Sequence, residues 1–138
     1  MAGSLSVKNL TRTRVRVSFF EIAHKRAAPH FEVSLLLATP AIAQQLNKQL
    51  RKKTYVPNVL SWLVSENSGE IVLCPEEIRK QAKTFGMSYT ECMIFMFIHA
   101  CLHLKGHLHG DTMERAERQL HTAVMKSITH EKTHSHRN

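Results

Sequence analysis

The chain is poor in cysteine. Cys74, Cys92 and Cys101 are the only three among 138 residues, and no two form a CxxC pair. An odd, dispersed set gives no disulfide framework, so a reducing compartment and no disulfide-linked partner are expected. Long apolar runs are also missing. None reaches the roughly 18 residues that span a bilayer, and no membrane partner is expected. The first residues lack the apolar core of a secretion signal. Acids are scarce in one half only. Residues 1–65 hold ten Lys and Arg against two acids, Glu21 and Glu32, whereas residues 66–138 hold nine of each. The whole net charge of +8 therefore lies in the first half. Such asymmetry suits a polyanionic partner, most often nucleic acid, and equally a solvated basic surface.

What is present is ordinary for a soluble domain: 43% hydrophobic and 22% charged residues. The length predicts one domain, residues 1–128, followed by a polar, His-rich tail at 129–138 whose composition predicts disorder. Residues 11–27 are ambiguous: RVRVSF alternates like a strand, yet Val15, Phe19 and Ile22 share a helix face. FEVSLLLAT (31–39) reads as a strand. Pro40 opens a helix with Ile42, Leu46 and Leu50 on one face. NVLSWLVS (58–65) and GEIVLC (69–74) read as strands joined by ENSG in hairpin fashion. Pro75 opens a helix that Gly86 stops. YTECMIFMFIHACLHLKG is apolar on nearly every face, the mark of a buried central helix. DTMERAERQLHTAVMKS begins with a capping-box-like Asp111 and Glu114 and runs amphipathically through Met113, Ala116, Leu120 and Val124. The expected fold class is α+β: a small mixed sheet of about four strands covered by about five helices, with the central helix carrying two histidines.

Those histidines belong to HACLHLKGHLH, residues 99–109, which holds four of the ten histidines in the chain. Residues i and i+4 share a helix face, with Cβ atoms roughly 5–6 Å apart. His99 and His103 can therefore point at one ion. His109 must arrive after the chain turns, and Gly106 suits the left-handed conformation of such a turn. Three histidines leave a fourth position for water, the catalytic type of zinc site. The competing reading is a pair of core histidines satisfied by hydrogen bonds. An all-helical set of His99, His103 and His107 is opposed by Gly106. Cys101 points away from the histidine face and reads as core. His130, His134 and His136 read as a solvated tail. The spacing also matches HExxHxxGxxH of the metzincin proteases, but Ala100 stands where the general-base Glu would be, so that chemistry lacks its base.

Taken with its surroundings, the stretch resembles the YbeY family of rRNA-maturation endoribonucleases. That family carries a motif like HGxLHLLGYDH. His99, Leu102, His103, Leu104, Gly106 and His109 match it, while Ala100, Lys105 and Leu108 depart. Upstream, LNKQLRKKTYVPNVLSW is similar to the family's LNxxYRxKDxPTDVLSF: Leu46, Asn47, Arg51, Lys53, Val59, Leu60 and Ser61 match without a gap, with Asn58 in the place of the family's Asp. Val56 and Pro57 stand for Pro-Thr, and Trp62 stands for Phe. The family's GDIxI strand appears as Gly69 to Leu73. The likeness covers residues 31–127, and the first 30 residues match weakly.

The resemblance implies a small sheet with several helices and one divalent ion, usually zinc, on His99, His103 and His109. It implies a single-strand-specific endoribonuclease acting in rRNA processing, at the 16S rRNA 3′ end, and in ribosome quality control. RNA and the ribosome or its proteins would be the partners. The family's functional arginine carries over to Arg51. A guanidinium grips phosphate with two parallel hydrogen bonds and keeps its charge. Lys48, Lys52 and Lys53 would bind flanking backbone and give salt-dependent affinity, or simply form a solvated helix end. No carboxylate in the motif is an obvious base: Glu70 and Asp111 are near only in sequence. A zinc hydrolase of another substrate class, or a non-catalytic RNA- or ribosome-binding protein with a structural zinc, are the alternatives. The expected location is cytoplasmic, with an organelle as the alternative because the first 20 residues have Arg, Ser and Thr and no acid.

Overall fold

A computed structural model describes residues 2–107 and 110–136. Its strands are β1 (Leu5–Asn9), β2 (Glu32–Leu37), β3 (Val59–Ser65) and β4 (Ser68–Leu73). The helices are α1 (Val17–Ala27), α2 (Pro40–Arg51), α3 (Pro75–Phe85), α4 (Tyr89–Leu104) and α5 (Asp111–His136). The sheet runs in the order β1-β2-β4-β3. β1, β2 and β4 are parallel, and β3 is antiparallel to β4 with a register shift between Leu63 and Ser65. Among the described residues the fold is α+β with a mixed four-stranded sheet and five helices.

Period-two alternation decides which side chains go where. Val33, Leu35 and Leu37 of β2 and Ile71 and Leu73 of β4 face the main core, which they share with residues of α1, α3, α4 and α5. Leu60 and Val72 face the other side, where Ala38 and Ala43 cover them together with Ile42 and Leu46 of α2. α2 thus closes one end of the second face, while Ser6, Lys8 and Ser34 leave the rest to solvent. α4 is the centre of the main core: ten of its sixteen residues are buried. Ser88 caps it by accepting from the Glu91 amide at 3.1 Å, which satisfies one of the donors that a helix start leaves without an intrahelical partner.

The punctuation in the sequence explains most boundaries. Pro40 and Pro75 occupy first-turn positions of α2 and α3. Gly86 caps α3 at φ 66°, a conformation that a side chain would strain. The ambiguous segment 11–27 resolves into a helix from Val17, burying Phe19, Phe20, Ala23 and Ala27. Two elements depart from expectation. β1 pairs with β2 although only Leu5 and Val7 alternate in it. α5 runs to His136, so the backbone of residues 129–136 is helical where composition predicted disorder. After Gly110 the chain has neither Gly nor Pro, so nothing local stops a helix already begun.

Candidate metal centre and substrate groove

The last two turns of α4 carry the histidine pair. His99 and His103 lie on one helix face as their spacing requires, with ring centroids 4.6 Å apart and Nε2 atoms 3.0 Å apart. Two imidazole nitrogens at this separation fit one N–H donating to the other's lone pair. They also approach the roughly 3.3 Å between two ligands that stand about 2.0–2.1 Å from one tetrahedral ion.

Glu117 adds a constraint that sequence reasoning did not supply. Its carboxylate is buried at 6% exposure and bonds Nδ1 of His99. A carboxylate accepts, so Nδ1 of His99 donates, and in the neutral ring Nε2 then holds the lone pair. That is the tautomer a cation needs, and a carboxylate behind a ligating histidine is a recurring support for metal. The donor set at His99 and His103 therefore fits a borderline-soft ion such as zinc. Among the described residues no cluster of three or more His, Cys, Asp or Glu could hold a metal. His109, the third expected ligand, lies outside the described residues, as does Leu108. A signal for Glu117 was available. It lies four residues after buried Met113 and three before Leu120, so it is an acid on the apolar stripe of α5.

α4 ends at Leu104, and Gly106 turns the chain at φ 89°. The Gly106 amide donates to His103 O at 2.9 Å and the His107 amide to Leu102 O at 3.0 Å. His107 is therefore off the helix, and the all-helical triplet does not form. Cys101, between the two histidines in sequence, is fully buried on the opposite side. Burial pushes its thiol up to about 12, only partly offset by Lys105. Such a thiol stays protonated and is a poor ligand.

Arg51 comes to the same place from the other face of the sheet. It is the last residue of α2, whose C-cap Lys52 is left-handed at φ 57°. The returning loop is held against the helix: Gln44 Nε2 donates to Thr54 O at 2.6 Å and Asn47 Nδ2 to Tyr55 O at 3.0 Å. Tyr55 in turn accepts at its hydroxyl from Arg51 Nη1 at 3.0 Å. Arg51, His99 and His103 then line one cavity of about 510 Å³, together with Leu50, Ala100 and the β3 residues Val59 to Trp62. Lys48, Lys52 and Lys53 are exposed around the end of α2 and are not part of this lining. Neither Glu70 nor Asp111 lines it. Glu70 stands opposite Trp62 in the sheet, and Asp111 is the first residue of α5.

Comparisons with known proteins agree with this architecture. The family model described as "Endoribonuclease YbeY" matches residues 4–131 and so takes in the N-terminal strand and α1, which the motifs alone did not reach. A curated endoribonuclease YbeY from Bdellovibrio bacteriovorus is 36% identical over 80 residues, 56% of this chain and 53% of its own length. One from Francisella philomiragia is 30% identical over 110 residues, covering 72% and 70%. One from Persephonella marina is 28% identical over 135 residues, covering 92% and 84%. The matched stretch thus spans about half of the Bdellovibrio relative and most of the Persephonella one. A Thermotoga maritima protein solved in solution superposes with a TM-score of 0.72 at 20% identity, covering 93% of both chains, which shows a shared fold. With a family match over nearly its whole length, this chain belongs to the YbeY endoribonuclease family.

Proposed function

We propose that the chain is a metal-dependent endoribonuclease of single-stranded RNA, with precursor rRNA as its substrate and the ribosome as its setting. The observation that carries this reading is the shared cavity: a guanidinium and an imidazole pair, with the His99 ring held by Glu117 in the tautomer a cation needs, open onto the same groove. His99, His103 and His109 would hold the ion, and Glu117 would orient His99. Such an ion supplies a Lewis acid and makes water a nucleophile near neutral pH. Arg51 would hold the scissile phosphate by two parallel hydrogen bonds and offset the charge that grows on it during cleavage. The Tyr55 hydroxyl restrains that guanidinium before substrate arrives. Lys48, Lys52 and Lys53 extend the positive surface along the backbone path, which makes affinity fall with salt.

Two substitutions separate the roles. Arg51→Ala should lower single-turnover cleavage of a single-stranded RNA by about 10²–10³, with the metal content unchanged. Arg51→Lys should restore little, because a point charge cannot grip two oxygens in parallel. Cleavage by Arg51→Ala at the wild-type rate would remove the assigned role. Glu117→Gln should weaken metal affinity by about 10–100-fold in competition with a chromogenic chelator. An unchanged affinity would reduce Glu117 to a buried hydrogen-bonding residue. Spectroscopy of cobalt-substituted protein tests the rival reading of a structural ion, which requires four protein ligands.

A further inference from the structure

The groove has one large aromatic wall that no catalytic step uses. Trp62 is the only tryptophan in the chain, and it lines the same cavity as Arg51, His99 and His103. It sits on β3, a strand at the edge of the sheet. The side chain is partly buried, packed beside the cluster of Leu60, Val72 and Ala43 under α2. That packing holds the ring in place while part of it still faces the cavity. Its cross-strand neighbour Glu70 is not among the residues lining the groove. Leu50, which lines the same cavity, is 52% exposed, and the exposed cations Lys48, Lys52 and Lys53 surround the end of α2.

An aromatic residue that shares a groove with a guanidinium, on a surface rich in cations, suits a single nucleic-acid strand: cations follow the phosphates and the ring stacks on a base. A paired base is already stacked within its duplex and cannot also lie on a protein side chain without being splayed out. We infer that Trp62 is the base-stacking platform of the groove, which holds one unpaired base beside the phosphate bound by Arg51. This rests on the endoribonuclease reading above and assigns to it the residue that selects single strands. The occupant is an RNA single strand, chosen over an apolar peptide because the Arg51 guanidinium lining the same cavity, with exposed lysines around the end of its helix, matches phosphate and would be left uncompensated by an uncharged chain.

Because the chain has one tryptophan, its emission reports this position alone. The full-length, metal-loaded protein would be titrated with a short 2′-O-methyl oligouridine, an abasic strand of equal length and a blunt duplex. The single strand should quench the emission, and the duplex should leave it unchanged. Trp62→Ala should bind the single strand roughly ten- to a hundredfold more weakly, while Trp62→Phe keeps most of the affinity. The abasic strand should bind wild type and Trp62→Ala alike, since only phosphates remain to be held. Thermal melts of both variants show whether packing has been lost, and the Phe variant keeps the comparison meaningful if the Ala variant melts early. Single-strand binding without quenching, and with Trp62→Phe and Trp62→Ala at wild-type affinity, would overturn the platform and leave the nuclease reading standing. A wild-type protein that binds and cuts no RNA would overturn both.

Discussion

Replacing His103 by alanine should abolish both bound metal and RNA cleavage while leaving the chain folded. The reason lies in how the two helical histidines are held. His99 is tied to buried Glu117, so truncating it would strand a buried carboxylate. His103 is only partly buried and meets His99 at its Nε2, so its removal strips a ligand with little loss of packing. Metal measured after dialysis should fall from one ion per chain to near zero. Cleavage should fall by more than the roughly 10²–10³ that loss of one charge-stabilising donor costs, because the whole electrophile leaves. A melting temperature close to wild type completes the expected pattern. Metal-free protein cutting RNA at the wild-type rate would end the metallonuclease reading.

The largest effect on stability is expected at Phe97. Its side chain is completely buried at the middle of α4 and meets Phe20 edge to face, with ring centroids 5.2 Å apart. Phe97→Ala should cost about 3–5 kcal/mol, from lost transfer energy plus the cavity left behind. Against the 5–15 kcal/mol typical of a whole domain that is a large fraction. At roughly 3 °C per kcal/mol for a chain of this size, the melting temperature should drop by about 10–15 °C in a circular-dichroism melt. Phe85→Ala is the control, because that ring is 49% exposed and its loss should stay within about 0.5 kcal/mol. A shift at Phe97 no larger than the control's would mean that α4 is not the centre of the core.

Residues with a strong local effect were readable before any coordinates. Pro40, Pro75 and Gly86 act on their own backbone, so α2 and α3 begin where the prolines stand and α3 ends where the glycine stands. The uninterrupted apolarity of α4 has only one physical outlet, which is burial. The i, i+4 spacing of His99 and His103 is a property of the helix itself, so their convergence was legible too. What stayed hidden depends on partners distant in sequence. β1 has two alternating apolar residues and becomes a strand only because β2 offers it an edge 28 residues away. RVRVSF carried both periods, and packing of Phe19 and Phe20 against α4 selected the helix. Glu117 stood out only as an acid on the apolar stripe of α5, and its role exists only once α5 lies beside α4. The approach of Arg51 to the histidines is likewise a tertiary event, built by α2 crossing behind the sheet.

The position of β3 has a consequence for how copies of this chain behave toward one another. It ends the sheet, and two of its residues, Leu63 and Val64, are 57% and 61% exposed. An open strand edge with apolar flanks is a template for the edge of a second molecule. The register shift near Leu63 spoils the template locally. The net charge of +8 opposes approach from farther away, over a screening length of about 8 Å at physiological ionic strength. The same cations therefore act twice, as an attraction toward polyanions and as a spacer between like molecules. Concentrated salt weakens both at once, so a wash that strips nucleic acid from the protein also removes what keeps its copies apart.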